Sequence, residues 1–348
     1  MSGVQTLTVT PEEGEQRLDR WFRRRFPHVP QGRIEKMCRK GEIRVDGARA
    51  RAASRVGPGQ SIRVPPLPDQ PAPERAREAT AISDADAAMM RAAVLYRDDH
   101  LLAINKPPGL PTQGGTGQTR HVDGLAEALC FDAGEKPRLV HRLDRDTSGV
   151  LLLARSRAVA AALTRAFSAR DTRKLYWAAV AGVPHPAMGT IRYGLVKAPG
   201  HGARGEAEKM RCIHPDLVDE TPDAKRAVTD YAVLSALGGR CAWVALVPVT
   251  GRTHQLRAHM AEIGHPIVGD GKYGGSGQDN PGDGWGAQLG GEISRKLHLH
   301  ARQITLAHPV TGARLTLTAP LPPHMQRTWQ AFDWRVADVP ADPFAEEA

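Results

Sequence analysis

Cysteine is scarce in this chain of 348 residues. Cys38, Cys130, Cys212 and Cys241 are the only four, and no two of them form a CxxC pair. That spacing argues against a disulfide framework and against a cysteine-based zinc site. Long apolar runs are missing as well: no stretch approaches the roughly eighteen residues that a membrane-spanning helix needs. The opening MSGVQTLTVTPEEGEQ lacks the basic-then-apolar order of a secretion signal. A cytoplasmic protein with no membrane partner is therefore expected. A phosphate-binding loop is absent too. The glycine-rich tract GGSGQDNPGDGWGAQLGG (274–291) has no strand pattern before it, no GK[ST] and no clean GxGxxG, and it reads as a surface loop.

What is present is a globular composition, 41% apolar and 24% charged, on a chain long enough for about two domains. The net charge of +9 is concentrated. Between Arg17 and Arg63, fourteen Lys or Arg stand against four Asp or Glu, a surplus of ten, which leaves about minus one for the rest. A basic surplus confined to one short module is the electrostatic footprint of a nucleic-acid-binding domain.

Within that module Leu18, Trp21 and Phe22 recur at helical spacing, as do Ile34 and Met37 in a second helix that Gly41 ends. EIRVDG then reads as a strand entering an Asp-Gly turn, and GPGQSIRVP as a turn leading into a closing strand. RLD, the Arg/Lys-rich helix, GEIRVDG and PGQSI together resemble the S-four-like RNA-binding module over residues 16–65. The exposed basic face of its second helix, Arg33, Lys36, Arg39 and Lys40, would contact RNA. Residues 1–15 read as an N-terminal tail. Residues 66–80, with five prolines between positions 65 and 73, read as a semi-rigid linker.

A second domain is expected over residues 81–335, followed by a C-terminal tail at 336–348. Strand candidates are AVLYRDD, LLAINKPPG, LYWAAVAG, VTDYAVLSAL, CAWVALVPV, QITLAHP and RLTLTAP, with a helix at SRAVAAALTRAFSA. Several strands alternate in the manner of a sheet with one wet face. Helices and antiparallel-looking strands interleave without βαβ repetition, so the class is α+β, with a mixed, largely antiparallel sheet.

The chemistry lies in three elements. HRLDRDTSGVLLLA places His141, Arg142, Asp144, Arg145 and Asp146 at the mouth of an apolar strand. Asp144 is either a working carboxylate, nucleophile or base, aimed into a cleft with Arg142 or Arg145 turned to an anionic ligand, or a turn residue paired locally. Asp146 suits the turn role. An aspartic-protease reading fails, because DTSG is neither Asp-Thr-Gly nor Asp-Ser-Gly. In VTGRTHQLRAHMAEIGHPIVGDGKYG (249–274), Thr250 or Thr253 caps a helix with a Leu256, Met260, Ile263 stripe that stops at Gly264. Arg257 beside that stripe needs a carboxylate partner, because an unpaired buried guanidinium costs several kcal/mol. Asp144 is the candidate, and the pair would keep it ionised. His254 and His259 lie roughly 140° apart on a helix and cannot chelate one ion together, so no metal site is expected there. Third, RKLYWAAVAG puts Tyr176 on a strand after two basic residues, either merely capping the core with a wet hydroxyl or facing a ligand.

Together with NKPPG and LAHPVTG, these three elements resemble the RluA family of pseudouridine synthases over about residues 93–325. With the S-four-like module in front, the resemblance is to the family's RluC type, which modifies uridines in large-subunit (23S) ribosomal RNA. It implies that Asp144 is the catalytic aspartate, that Tyr176 stacks on the uracil and assists loss of its ring proton, and that Arg257 holds Asp144. It also implies that Arg142 helps offset the few kcal/mol needed to flip the target base out. Arg170, Arg173 and Lys174 either follow the phosphate backbone or form a solvated face. Isomerising uridine transfers no electrons and adds no atoms, so no cofactor and no metal is expected. The implied partner is 23S ribosomal RNA, free or partly assembled, with no obligatory protein partner. The rival expectations are the same chemistry on tRNA, and a non-catalytic ribosome-assembly factor. The mark of the latter would be loss of the aspartate, tyrosine or arginine, and all three are present. One departure is that 274–291 is longer than the family pattern needs after GDGKYG.

Overall fold

The computed structural model describes residues 3–67, 82–114, 120–169, 171–198, 209–274 and 293–345. The linker from Pro68 on, Arg170 and the glycine-rich tract beyond Gly274 lie outside the described residues. The chain divides into two units, Met1–Ala81 and Ile82–Ala348.

The first unit runs β1 (Gln5–Thr8), β2 (Gln16–Arg17), α1 (Leu18–Arg25), α2 (Gln31–Lys40), β3 (Arg44–Val45), β4 (Ala48–Arg49), β5 (Arg55–Val56) and β6 (Ser61–Val64). Leu18, Trp21 and Phe22 on α1 and Ile34, Met37 and Cys38 on α2 point into one core with Val9, Ile43 and Ile62. Gly41 ends α2 in the left-handed conformation, φ 72°, which its missing Cβ permits. Asp46 and Gly47, both at positive φ, turn β3 back onto β4. Arg33, Lys36, Arg39 and Lys40 are exposed on the face of α2 away from the core.

The expected N-terminal tail is not a tail. β1 pairs antiparallel with β6, from Gln5 opposite Val64 to Thr8 opposite Ser61, so it forms one edge of the sheet β1-β6-β3-β4. Val9 is buried, and Leu7 packs on the core, which is the burial that holds this strand in place.

The second unit begins with α3 (Asp84–Ala92), β7 (Val94–Arg97), β8 (Leu101–Lys106), α4 (Val122–Leu125), β9 (Arg138–Leu139) and β10 (Ser148–Ala154). It continues through α5 (Arg157–Ala169), β11 (Arg173–Ala181), β12 (Met188–Lys197), β13 (Met210–Ile213), β14 (Lys225–Leu237) and β15 (Cys241–Pro248). It closes with α6 (Gln255–Glu262), β16 (Leu299–Ala307), β17 (Arg314–Thr318) and α7 (Pro323–Ala331). The sheet has eleven strands in the order β13-β12-β14-β15-β11-β16-β10-β8-β7, with β17 also on β16 and β9 also on β10. Every strand pair is antiparallel except β10 with β16, so the sheet is mixed and largely antiparallel.

Alternation along the central strands sorts residues to two faces. On β11 and β15, Leu175, Trp177, Ala179, Trp243 and Ala245 face a cluster with Met325 and Trp329 of α7. Ala178, Val180, Val244 and Leu246 face the other way, onto Leu256 and Met260 of α6. Tyr176 falls on this second face, where it touches both the α6 cluster and a neighbouring one built on Leu125, Leu151 and Ala301. The period of two thus decides that Tyr176 and α6 share a side of the sheet.

The C-terminal segment is also not a free tail. Val339 and Phe344 pack against the tryptophan cluster, and Asp342 accepts from Arg173 Nη2 at 2.8 Å. The apolar surface of Trp334, itself buried, needs that cover.

Candidate active site

Asp144 stands in the loop between β9 and β10, and the peptides on either side of it are tied down. The Thr112 hydroxyl donates to Leu143 O (2.6 Å) and accepts from Leu143 N (3.2 Å). Arg145 O accepts from Gly109 N (3.0 Å) and from the Lys106 ammonium (3.0 Å). Lys106 also donates to Pro107 O and Leu110 O, both at 2.9 Å, so its three N–H groups meet three carbonyls in a fully buried site. Burial pushes its pKa down to about 7, against the pull of Asp146 and Asp144. Thr147 N closes a turn onto Asp144 O at 3.2 Å, and the exposed Asp146 lies within that turn.

After the turn, β10 runs beside β16 so closely that a Cβ on Gly149, at φ +111°, would lie 2.2 Å from Ala301 O. No residue with a side chain fits there, which explains the glycine in TSG. Ser148 is bonded to a buried ring nitrogen of His300 (2.8 Å).

The helix carrying Arg257 does not begin as expected. Neither Thr250 nor Thr253 is the N-cap; His254 is, at φ 51° and ψ 21°, with no side-chain cap bond. The buried Gln255 does the tying. It donates to Val228 O (2.8 Å) and Thr229 Oγ1 (3.0 Å), and its Oε1 accepts from the Thr250 hydroxyl (2.6 Å) and Arg252 N (3.1 Å). Thr250 therefore acts on the helix through Gln255. Leu256, Met260 and Ile263 pack into one cluster as expected, but residues 255–260 are buried on the other faces too; Gly264, at φ 84°, follows the helix end.

Arg257 and Asp144 are brought together, with Nη1 to Oδ2 at 3.4 Å, but Asp144 is not the principal partner. Asp270, whose side chain is wholly buried, takes the guanidinium in a bidentate pair, Nε to Oδ2 at 2.7 Å and Nη2 to Oδ1 at 2.8 Å. No local pattern in the sequence singles out Asp270 as this partner. Its signal is the buried arginine itself, which needs more than one partly exposed carboxylate to offset its desolvation. Burial alone would lower the Arg257 pKa; the hydrogen bonds and charge of Asp270, with Asp144 beside it, more than reverse this. The Tyr273 ring lies 5.2 Å from the guanidinium carbon, and burial pushes that phenol up to about 12. His254 Nε2 is 3.7 Å from Asp144, with Nδ1 3.0 Å from the Tyr273 hydroxyl.

Asp144, Arg257, Tyr176 and Arg142 line one cleft of about 810 Å³. Asp144 keeps 29% of its side chain exposed there, and Arg142 is exposed at the rim. Burial, then the charge of Asp144, raises the Tyr176 pKa, so the phenol stays protonated at neutral pH. Of the three basic residues before this strand, Arg170 lies outside the described residues and Arg173 is paired with Asp342. Lys174 lines the cleft, stacked 4.8 Å from the Phe167 ring centroid, and burial lowers its pKa. The other histidines of this stretch have separate partners: His259 meets Thr229 Oγ1 (2.9 Å) and His265 meets Ala181 O (2.9 Å). Among the described residues no group of three His, Cys, Asp or Glu could hold a metal ion. No helix among them is long and apolar enough to cross a membrane.

The cleft thus holds a partly exposed carboxylate fixed from both flanking peptides, with an arginine at its side and a half-buried tyrosine. The RNA pseudouridylate synthase family profile matches residues 100–262. Curated proteins named ribosomal large subunit pseudouridine synthase C align over nearly the whole chain. The one from Vibrio cholerae is 33% identical over 93% of this chain and 95% of its own. That from Escherichia coli is 33% identical over 94% and 96%. A solved structure of human RNA pseudouridylate synthase domain containing 4 superposes with a TM-score of 0.57 at 32% identity, covering 71% of this chain and 95% of that one. The chain belongs to the RNA pseudouridine synthase family.

Proposed function

We propose that this enzyme isomerises specific uridines of large-subunit (23S) ribosomal RNA to pseudouridine, with Asp144 as the reacting carboxylate. The observation that carries the reading is the placing of Asp144 beside Arg257 in one cleft with Tyr176, on elements far apart in the chain. The reaction breaks the N1–C1′ bond, turns the uracil and forms C5–C1′; the C5 proton leaves and N1 gains one, so atoms and electrons balance within the substrate. Asp144 serves as nucleophile or as base at the sugar. Tyr176 packs against the uracil as a neutral phenol, because its raised pKa disfavours the phenolate that direct removal of the C5 proton would need. Arg142 at the rim and Lys174 inside the cleft supply positive charge for the flipped nucleotide's phosphates. The front module, S-four-like in its two helices and small sheet, brings RNA through Arg33, Lys36, Arg39 and Lys40. The substrate is ribosomal RNA, free or partly assembled, in the cytoplasm. That the curated relatives named for the large ribosomal subunit align over 93% and 94% of this chain, more than could leave out the whole basic module, favours this RNA over tRNA.

The test is Asp144→Asn incubated with 23S transcript and no added cofactor, with pseudouridines mapped chemically. Conversion should be abolished while the protein still folds and binds the transcript. Pseudouridine formed at the parental rate would remove Asp144 from the chemistry.

A further inference from the structure

Beyond Arg257 the Asp144 cleft has a neighbour. A basin of about 670 Å³ is lined by Arg257, Lys272, Arg295 and Lys296, with Asp146 as its one carboxylate and the backbone of Gly109 and Gly269 in its walls. Arg257 borders both spaces, so they adjoin. The basin's floor is rigid: a Cβ on Gly269, at φ +74°, would lie 2.1 Å from Lys296 O, so the 269–271 turn and the 295–297 segment are in direct backbone contact. His298 bonds Lys296 O at 2.8 Å and fixes the segment from the other end.

The charges are unequal in their commitments. Arg257 is held by Asp270 and Asp144. Arg295 and Lys296 are exposed, and neither has a carboxylate partner among the described residues. Asp146, also exposed, lies 3.9 Å from Arg145. Two uncommitted cations on a fixed segment therefore face a hollow that adjoins the reacting carboxylate. The cleft side adds the flat rings of Tyr176 and Phe167 beside Asp144, Arg142 and Lys174. A nucleotide offers a flat base for those rings and an anionic connector for the exposed cations next door.

We infer that this basin seats phosphates of the RNA strand next to the nucleotide whose base enters the Asp144 cleft, with Arg295 and Lys296 as the anion-binding residues. The assignment rests on the RNA-isomerase reading above and adds the direction in which the strand leaves the site. Phosphate contacts of this kind position the strand without reading its sequence.

The test compares the full-length parent with Arg295→Ala/Lys296→Ala and with the charge-conserving Arg295→Lys/Lys296→Arg, on 23S transcript over a salt series. The alanine pair should raise KM roughly tenfold while kcat changes much less. It should also flatten the dependence of log(kcat/KM) on log salt by about 1.4, since each single-strand phosphate contact contributes about 0.7. The charge-conserving pair should restore both. A parental KM and salt slope in the alanine pair would overturn the assignment, as would a charge-conserving pair as defective as alanine. Should the parent form no pseudouridine, the functional reading fails instead. Transcript binding by the same three proteins then decides the basin on the same slope difference.

Discussion

Arg257 shows how a correct demand can be met by an unforeseen partner. A buried guanidinium requires a carboxylate, and Asp144 lies within reach at 3.4 Å, yet Asp270 holds the charge in two shorter bonds. The division makes chemical sense. A carboxylate locked in a bidentate pair is a poor nucleophile, whereas one touched from the side retains free lone pairs. Arg257→Ala should therefore cost about 3–5 kcal/mol of stability, mainly by stranding the buried Asp270 rather than the half-exposed Asp144. Asp270→Asn should destabilise by a similar order and also slow catalysis, because the guanidinium loses its anchor and swings onto Asp144. Denaturant unfolding and pseudouridine formation measured on both variants check this. An Asp270→Asn protein with parental stability would show that the bidentate pair contributes nothing. Arg173 and Lys174 teach the same lesson: adjacent in sequence and equal in charge, they go to opposite faces of β11, one to Asp342 and one to the cleft.

At the scale of elements, the apolar strands were readable because β-branched and aliphatic residues alternate or cluster between turn residues. β12 and β13 were not. MGTIRYGLVK is broken by two glycines, and MRCI is too short to establish a period; only pairing with β14 and with each other makes them strands. The start of α6 was misread for a related reason. Threonine before a helix is a good cap in isolation, but the Thr250 hydroxyl is taken by Gln255 and Val228 N, which no local pattern encodes. Among the described residues the β10–β16 bridge is the one parallel join in the sheet, and Gly149 permits it. Gly149→Ala should cost about 3 kcal/mol or more, since a Cβ there meets backbone and the φ is strained. Activity should fall with it, because the Asp144 loop feeds directly into this strand. A thermal unfolding midpoint equal to the parent's would show that the bridge can open without consequence.

At the scale of the molecule, the two units have separate cores and separate charge, and the basic surplus sits wholly in the first. Residues 3–67 carry a core of their own, with Trp21, Phe22, Ile34 and Ile62 fully buried. A fragment of residues 1–70 should therefore fold and bind RNA with a steep salt dependence, a slope of about −3 if the four exposed cations of α2 each meet a phosphate. Filter binding across salt concentrations reads it. Absent or salt-insensitive binding would take the RNA-delivery role away from the module.

What the sequence alone determined was local and compositional. Charge segregation marked the basic module, period-two runs marked most strands, and motif residues marked Asp144, Tyr176 and Arg257 as candidates that the fold brings to one cleft, because each of these is written in neighbouring residues. What only the tertiary structure decided was partnership across the chain: Asp270 on Arg257, Lys106 and Thr112 on the peptides flanking Asp144, β1 on β6, and Phe344 on the tryptophans. Those choices depend on which surfaces meet after folding, where desolvation makes each buried polar group take whichever partner the packed chain brings within bonding distance.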